Sequence, residues 1–159
     1  VYHKLFEFNV MMLRFFTVYG PKQRPDLAIN KFTRLMMEDK EIPMFGDGTT
    51  SRDYTYIGDI VDGILKSCDY CINHKDVYEI LNIGNSSPIS LKQMIETIGK
   101  ALNKEPKIKQ LPMQPGDVNR TFADISKAKR MLGYEPKISF EEGIQNFVEW
   151  YKKNRGLYE

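Results

Sequence analysis

The alternation of strand-like and helix-like segments is the feature that most limits how this chain can fold. Residues 10–18 form a run of apolar, β-branched and aromatic side chains that stops at a Gly-Pro pair, which is typical of a buried strand ended by a turn. Residues 27–37 follow with apolar side chains at helical spacing. Next come a strand at 53–57, a helix with Asp59 as its N-cap, and a strand at 78–83. This order predicts an α/β fold with some parallel pairing.

Helix boundaries are clearest in the second half of the chain. Ser90 and Gln93 form a capping box, in which each side chain can satisfy a free amide at the start of a helix. Ser139 and Glu142 form another and predict the start of the last helix. Between them, Gly133 is expected to close a short helix, because glycine tolerates the positive φ found just past a helix end.

Length and charge limit the possible classes of function. With 159 residues, 42% of them hydrophobic, the chain can bury one moderate core and is expected to form one domain. A net charge of +2 gives no field that would recruit nucleic acid or an anionic membrane, so we expect neither as a partner. The N-terminus has no secretory pattern, and the longest apolar stretch, 9–20, is too short to span a bilayer. We therefore expect a cytoplasmic protein.

Two cysteines raise the question of redox or metal chemistry. Cys68 and Cys71 form a C-x-x-C pair, and His74 follows three residues later. All three fall late in a predicted helix, whereas reactive pairs of this kind lie at a helix N-terminus, and zinc would need a fourth ligand. We expect reduced thiols and no metal site.

Motifs for common enzyme classes do not occur in the sequence. It contains no G-x-G-x-x-G, P-loop, H-E-x-x-H or G-x-S-x-G. Polar residues gather instead in three loops, at 17–26, 45–54 and 114–117. The first two adjoin predicted strands, and α/β proteins bind ligands in the crevice beyond strand ends.

Two arginines in these loops are candidate ligands for an anion. Arg24 and Arg52 can converge on a diphosphate, because a guanidinium fork matches phosphate oxygens. The alternative is that Arg52 pairs with Asp53 or with another surface carboxylate.

Five segments follow one another in a recognisable order over nearly the whole chain. They are Leu-Arg-Phe-Phe-Thr-Val-Tyr-Gly-Pro at 13–21, Phe-Gly-Asp-Gly with Arg-Asp-Tyr-Thr-Tyr-Ile-Gly-Asp-Ile-Val at 45–61, Leu-Asn-Ile-Gly at 81–84, Pro-Gly-Asp at 115–117 followed by Ala-Asp at 123–124, and Leu-Gly-Tyr-Glu-Pro at 132–136. Each segment alone is weak evidence of a family resemblance, but the five together are strong evidence. They resemble the signatures of extended short-chain dehydrogenase/reductases, in particular the UDP-glucose and UDP-glucuronate 4-epimerases.

The resemblance implies the C-terminal, substrate-binding part of an NAD-dependent UDP-sugar 4-epimerase. Residues 1–159 would be this region, with strands from about 9–20 and 53–83 joining the sheet of an absent N-terminal NAD-binding domain. In the family, a tyrosine of Tyr-x-x-x-Lys takes the proton of the sugar 4-hydroxyl while hydride passes to NAD, and the 4-keto sugar is then reduced on its other face. Neither this motif nor the glycine-rich fingerprint occurs here, so no catalytic residue is expected in this chain and it should be inactive alone.

The resemblance also implies roles for single residues. Phe15 would lie near the nicotinamide and Thr17 beside the sugar and diphosphate. Arg24 would approach the sugar or its phosphate, Phe45 the uracil-type base, and Arg52 the diphosphate.

Two further positions complete the predicted site. Asp117 would accept hydrogen bonds from the ribose hydroxyls. Gln114 stands where galactose-type epimerases carry arginine, so one phosphate contact is weakened or replaced. That departure, with the Gln-Arg-Pro-Asp run at 23–26, favours relatives that act on UDP-glucuronate or UDP-N-acetylhexosamine.

Structural roles remain open for several of these residues. Phe15 and Phe16 are alternatively core residues, because buried aromatic side chains usually just pack. Thr17 alternatively caps a strand end, and Asp117 is alternatively an ordinary turn residue.

Other functions are also compatible with the sequence. A dehydratase or decarboxylase of the same superfamily is one, and a non-catalytic nucleotide-sugar-binding module is another. The family usually forms homodimers through helices of the other domain, so we expect exposed apolar surface in this chain, and either self-association or marginal stability.

Overall fold

Helices and strands alternate along the computed structural model, which describes residues 1–113 and 115–157. The helices are α1 Tyr2–Phe6, α2 Ala28–Met37, α3 Ile57–Asn73, α4 Leu91–Leu102, α5 Ser126–Leu132 and α6 Phe140–Lys153, with a 3-10 turn at Arg155–Leu157. The strands are β1 Val10–Phe15, β2 Thr17–Tyr19, β3 Ile42–Phe45, β4 Ser51–Tyr56, β5 Tyr78–Ile83, β6 Pro88–Ser90 and β7 Ile108–Leu111. The predicted α/β class is confirmed.

The strands form three small sheets, each with parallel pairing. β1 pairs with β5, and β3 pairs with β7, both in parallel. β4 is the middle strand of the third sheet, parallel to β2 and antiparallel to β6. In parallel pairs the carboxyl ends of both strands lie at the same edge, so each sheet has a defined edge at which ligand-binding loops can gather.

The single strand predicted over 10–18 is wrong. The backbone N–H of Phe16 still donates to the carbonyl of Ile83, which ends the ladder of the first sheet. One residue later, Thr17 is paired with Tyr54 in a different sheet. The apolar run is continuous in sequence, but its hydrogen-bonding partners change at residue 16, and only long-range pairing reveals that.

The predicted helix caps are confirmed where the capping interaction is local. The hydroxyl oxygens of Ser90 and Ser139 accept hydrogen bonds from the third residue of α4 and α6, each at 3.1 Å, and Gly133 ends α5 with φ 60°. The N-cap role of Asp59 is wrong, since α3 begins at Ile57. The Asp59 carboxylate instead accepts from the backbone amides of Lys137 and Ile138.

Buried apolar residues fall into two clusters. The main cluster lies between α2, α4, α6 and the sheets of β2–β4–β6 and β3–β7, and consists of Tyr19, Ile29, Phe32, Met36, Ile42, Met44, Tyr54, Ile89, Met94, Ile95, Ile98, Leu102, Phe140, Ile144, Phe147, Val148 and Tyr151. The second cluster lies between α3, α5 and the β1–β5 sheet, and consists of Ile60, Leu81, Ile83, Ala123, Ile125, Ala128 and Tyr134. Within residues 1–113 and 115–157, no helix has both the length and the apolar content needed to cross a membrane.

Candidate functional site

The predicted site is organised around β4. Thr17, the first residue of β2, is paired in register with Tyr54. On this same edge of β4, opposite to β6, the Ser51 amide donates to the carbonyl of Asn119 at 2.9 Å, and the Thr121 amide donates to the carbonyl of Ser51 at 3.1 Å. The segment that begins at Thr17 and the segment that follows Asp117 therefore both lie along one edge of β4, the strand that carries Arg52.

Arg52 lies under the loop that follows β7. Its Nη1 donates to the carbonyls of Ser51, at 2.9 Å, and Val118. Its Nη2 donates to Asp117 Oδ1 at 2.5 Å, with the two side chains 24% and 39% exposed. The sequence left open a pair between Arg52 and a carboxylate, and the structure contains one, with Asp117 rather than Asp53.

Asp53 has a different role, as a buried acceptor. It is fully buried, and its carboxylate accepts hydrogen bonds from the backbone amides of Asn85, Ser86 and Ala123 at 2.9–3.0 Å. Charge-assisted hydrogen bonds of this kind offset the cost of burying an ionised group. Asp53 thus ties β4 to the loop after β5 and to the segment before α5.

A glycine allows these two segments to approach each other. A Cβ placed on Gly84 would lie 2.4 Å from the Cβ of Ala123, which is too close for two carbon atoms that are not bonded to each other. The Leu-Asn-Ile-Gly segment therefore needs glycine at its last position for packing.

Phe15 lies at the carboxyl end of β1 with 47% of its surface exposed, so its interpretation as a core residue is wrong. Phe16 does pack against the second cluster, so for that residue the core interpretation is confirmed. An exposed aromatic ring at the carboxyl end of a parallel strand is suitably placed to contact a ligand. The contact with a nicotinamide stays a prediction.

Phe45 ends β3 and is half-buried, opposite Leu111 in β7. The turn that follows contains glycines with φ 71° and 80°, and Asp47 accepts from the amide and hydroxyl of Thr49. The loop that carries Asp117 leaves β7 at this same edge. Gln114, the replaced phosphate contact, lies outside the described residues.

Arg24 lies in the loop before α2, and its convergence with Arg52 on a diphosphate stays a prediction. It forms a two-point ion pair with Asp26, at 2.7 and 3.1 Å, on the exposed surface. The hydrogen bond between them raises the pKa of Arg24 and lowers the pKa of Asp26. Arg24 also lines an open cavity of about 190 Å³ together with Val18 and Ile57.

Two tyrosines of the recognised segments are structural. The hydroxyl of Tyr19 donates to the carbonyl of Phe140, and that of Tyr134 donates to the carbonyl of Gly84. Burial raises the pKa of both tyrosines, which keeps them neutral at ordinary pH. Neither is therefore placed to take a proton from a substrate.

The two cysteines both lie on α3. Both are free thiols, and burial raises the pKa of Cys71, which disfavours the thiolate. In the part of the chain that the structure describes, no three His, Cys, Asp or Glu side chains are grouped so as to hold a metal ion.

These residues fit only one edge of a dinucleotide. The sequence has no glycine-rich strand-turn-helix to hold a pyrophosphate, whereas the exposed Phe15 ring offers a surface for a flat aromatic group. That most contacts with NAD lie outside this chain stays a prediction.

Comparison with protein families gives a match over most of the chain. A family model described as GDP-mannose 4,6 dehydratase matches residues 1–147. A UDP-glucuronate 4-epimerase of Thermodesulfobacterium geofontis is 44% identical over 155 residues, which are 96% of this chain and 46% of that protein.

Solved structures give the same picture. The UDP-glucuronic acid 4-epimerase of Bacillus cereus, solved with UDP-glucuronic acid and NAD, has a TM-score of 0.87 at 38% identity over 96% of this chain and 48% of its own. DesIV of Streptomyces venezuelae, a dTDP-glucose 4,6-dehydratase, has a TM-score of 0.86 at 27% identity over 99% and 48%. The chain thus spans about half the length of the proteins that it matches.

Proposed function

This chain belongs to the GDP-mannose 4,6-dehydratase family of NAD-dependent epimerases and dehydratases, and from that membership we propose that it is the C-terminal part of a UDP-sugar 4-epimerase. The substrate class is a UDP-hexose of the glucose or glucuronate type. This chain would hold the nucleotide sugar, and alone it would be inactive.

The observation that supports this proposal best is the set of elements around β4. Arg52 lies beneath the Asp117 loop, Thr17 begins the neighbouring strand, and Phe45 lies at the edge from which that loop departs. A cation, a carboxylate and an aromatic ring are the groups that a diphosphate, a ribose and a base require.

NAD, when bound, supplies an acceptor and donor of hydride at the sugar C4. The residues of this chain would act by binding and orientation. Arg52 would neutralise the diphosphate and Asp117 would fix the ribose. Thr17 and Arg24 would then hold the sugar in the position that the reaction needs, and Phe15 would border it.

The test of this proposal is UDP binding by the complete protein that contains this chain. Arg52→Ala should weaken UDP binding about tenfold or more, because a charge-assisted hydrogen bond is worth roughly 1.5–3 kcal/mol. Arg130→Ala, on the exposed face of α5, is the matched control and should bind as the wild type does. Unchanged UDP binding on loss of Arg52 would remove that assignment.

A dehydratase or a decarboxylase is the second candidate, and the likeness to DesIV favours the dehydratase. The products separate the three activities. An epimerase inverts the sugar C4 and keeps its mass, a dehydratase loses water, and a decarboxylase releases CO₂ from UDP-glucuronate. Mass spectrometry and NMR of the product would show which reaction the complete protein carries out.

A non-catalytic nucleotide-sugar-binding module is the alternative from another class. It agrees with the missing Tyr-x-x-x-Lys motif in this sequence. Epimerase activity in the complete protein would exclude it. We further propose a homodimer in the cytoplasm for the complete protein, which size-exclusion chromatography and cell fractionation would test.

A further inference from the structure

The ion pair between Arg52 and Asp117 joins two residues that are predicted to bind different parts of one ligand. Arg52 is predicted to contact the diphosphate, and Asp117 the ribose. In the structure they contact each other, with 2.5 Å between Nη2 and Oδ1. Arg52 is therefore already bound to an anionic oxygen.

A phosphate oxygen and the Asp117 carboxylate are both acceptors for the same guanidinium. An anion that takes over Nη2 deprives Asp117, which is 39% exposed, of its cation, and the favourable energy of that ion pair is lost. Inorganic phosphates carry no ribose hydroxyl that could donate a hydrogen bond to the Asp117 carboxylate in place of Arg52. A nucleoside diphosphate also brings the two ribose hydroxyls, which can donate to Asp117 once it has left Arg52.

The backbone around Asp117 allows the side chain to exchange partners. On one side, Asn119 and Thr121 are hydrogen-bonded to Ser51, so the chain is anchored to β4 two residues after Asp117. On the other side, Gly116 has φ 84° and open space around its Cα. The carboxylate can thus turn away from Arg52 while the pairing with β4 stays in place.

We propose that Asp117 is a specificity-determining residue. Its carboxylate releases Arg52 when a nucleoside diphosphate binds, and it competes for Arg52 with phosphates that carry no ribose. The inference rests on the proposed function and deepens it. Specificity of this kind comes from a penalty against the wrong ligand, here an unpaired carboxylate, as well as from contacts with the right one.

The experiment compares the affinity of UDP with that of inorganic pyrophosphate, by calorimetry on the complete protein in metal-free buffer. Asp117→Asn removes the charge from an exposed loop and keeps the shape of the side chain. Asp39→Asn is the matched control. It breaks the 2.9 Å ion pair with Lys104 in the turn before β3, whereas Phe45 is at the other end of that strand. Asparagine tolerates the φ of 53° found at position 39.

In Asp117→Asn, pyrophosphate should bind roughly threefold to tenfold more tightly, as expected for the loss of one competing ion pair, while UDP affinity does not rise. Asp39→Asn should change neither affinity. Pyrophosphate affinity that stays the same or falls in Asp117→Asn would overturn the role, and so would an equal gain for UDP. If the wild-type protein failed to bind UDP, the proposed function itself would be overturned, together with the role that rests on it.

Discussion

The two buried clusters differ in how completely they are covered. The main cluster has helices or sheets on all sides. The second cluster lies between the α3 and α5 helices and one face of the β1–β5 sheet, and large apolar side chains on α3 and β5 are exposed. On α3, Leu65 and Ile72 are 60% and 79% exposed. On β5, Tyr78 and Ile80 are also exposed, to a lesser extent. Parallel sheets normally have both faces covered, whereas within residues 1–113 and 115–157 one face of the β1–β5 sheet keeps large apolar side chains exposed.

This difference in coverage agrees with the fraction of its relatives' length that the chain spans. The chain spans about half the length of its relatives, and its uncovered side is the β1–β5 sheet with α3. An exposed apolar surface was expected from the sequence, and it lies on this sheet and helix. Self-association of the isolated chain through that surface stays a prediction.

The largest effect is expected from removal of a main-cluster side chain. Phe147 is fully buried, and Phe147→Ala should lower the free energy of unfolding by about 3–5 kcal/mol, because a cavity replaces the ring. Urea denaturation of the isolated chain would measure this. Leu65→Ala on α3 is the comparison and should stay within about 0.5 kcal/mol. A similar loss from both variants would mean that α3 is covered after all.

A smaller effect is expected at the carboxylate that ties the two regions together. In Asp53→Asn an amide NH₂ faces backbone N–H donors, so at least one of them loses its acceptor, at a cost of about 3 kcal/mol. Asp47→Asn makes the same change in an exposed turn and should leave the unfolding midpoint where it is. Equal midpoints for the two variants would contradict a tie through Asp53.

The smallest effect concerns alkaline pH and compares the interiors of the two clusters. Burial raises the folded-state pKa of Tyr19 in the main cluster and of Tyr134 in the second. The unfolded state therefore loses these protons first, above pH ~10, and each tyrosine should lower stability by about 1 kcal/mol by pH 11. Stability below about pH 9 is unaffected by this linkage.

The stability of Tyr19→Phe and of Tyr134→Phe, measured from melting curves between pH 8 and 11, should each fall less at alkaline pH than that of the wild type. Tyr2→Phe, on an exposed ring, is the control. If Tyr134→Phe behaves as the control does and Tyr19→Phe does not, the interior of the second cluster is open to water in solution.

Sequence reasoning succeeded where the interaction that fixes a feature is local. The caps at Ser90 and Ser139 need only the next three residues, so the pattern was sufficient. Asp59 resembles a cap equally well, but amides near residue 137 bind its carboxylate and α3 begins earlier. The break at Phe16 was missed for the same reason, since the partners of β1 and β2 are distant in sequence.

The candidate site shows the same limit. The arginine, carboxylate and aromatic residues were found by resemblance, yet the pair between Arg52 and Asp117 spans 65 positions and no pattern predicts it. The carboxylate of Asp53 was interpreted only as a possible surface partner. Its three backbone donors come from two separate segments, which only the fold brings together.

The break between β1 and β2 has a consequence for the geometry of the proposed reaction. Phe15, predicted to border the nicotinamide, and Thr17, predicted to border the sugar, belong to different sheets but are separated by one residue. Two residues of extended chain span at most about 7 Å. The spacing between these two predicted ligand contacts is therefore set by covalent bonds, although the contacts belong to different sheets.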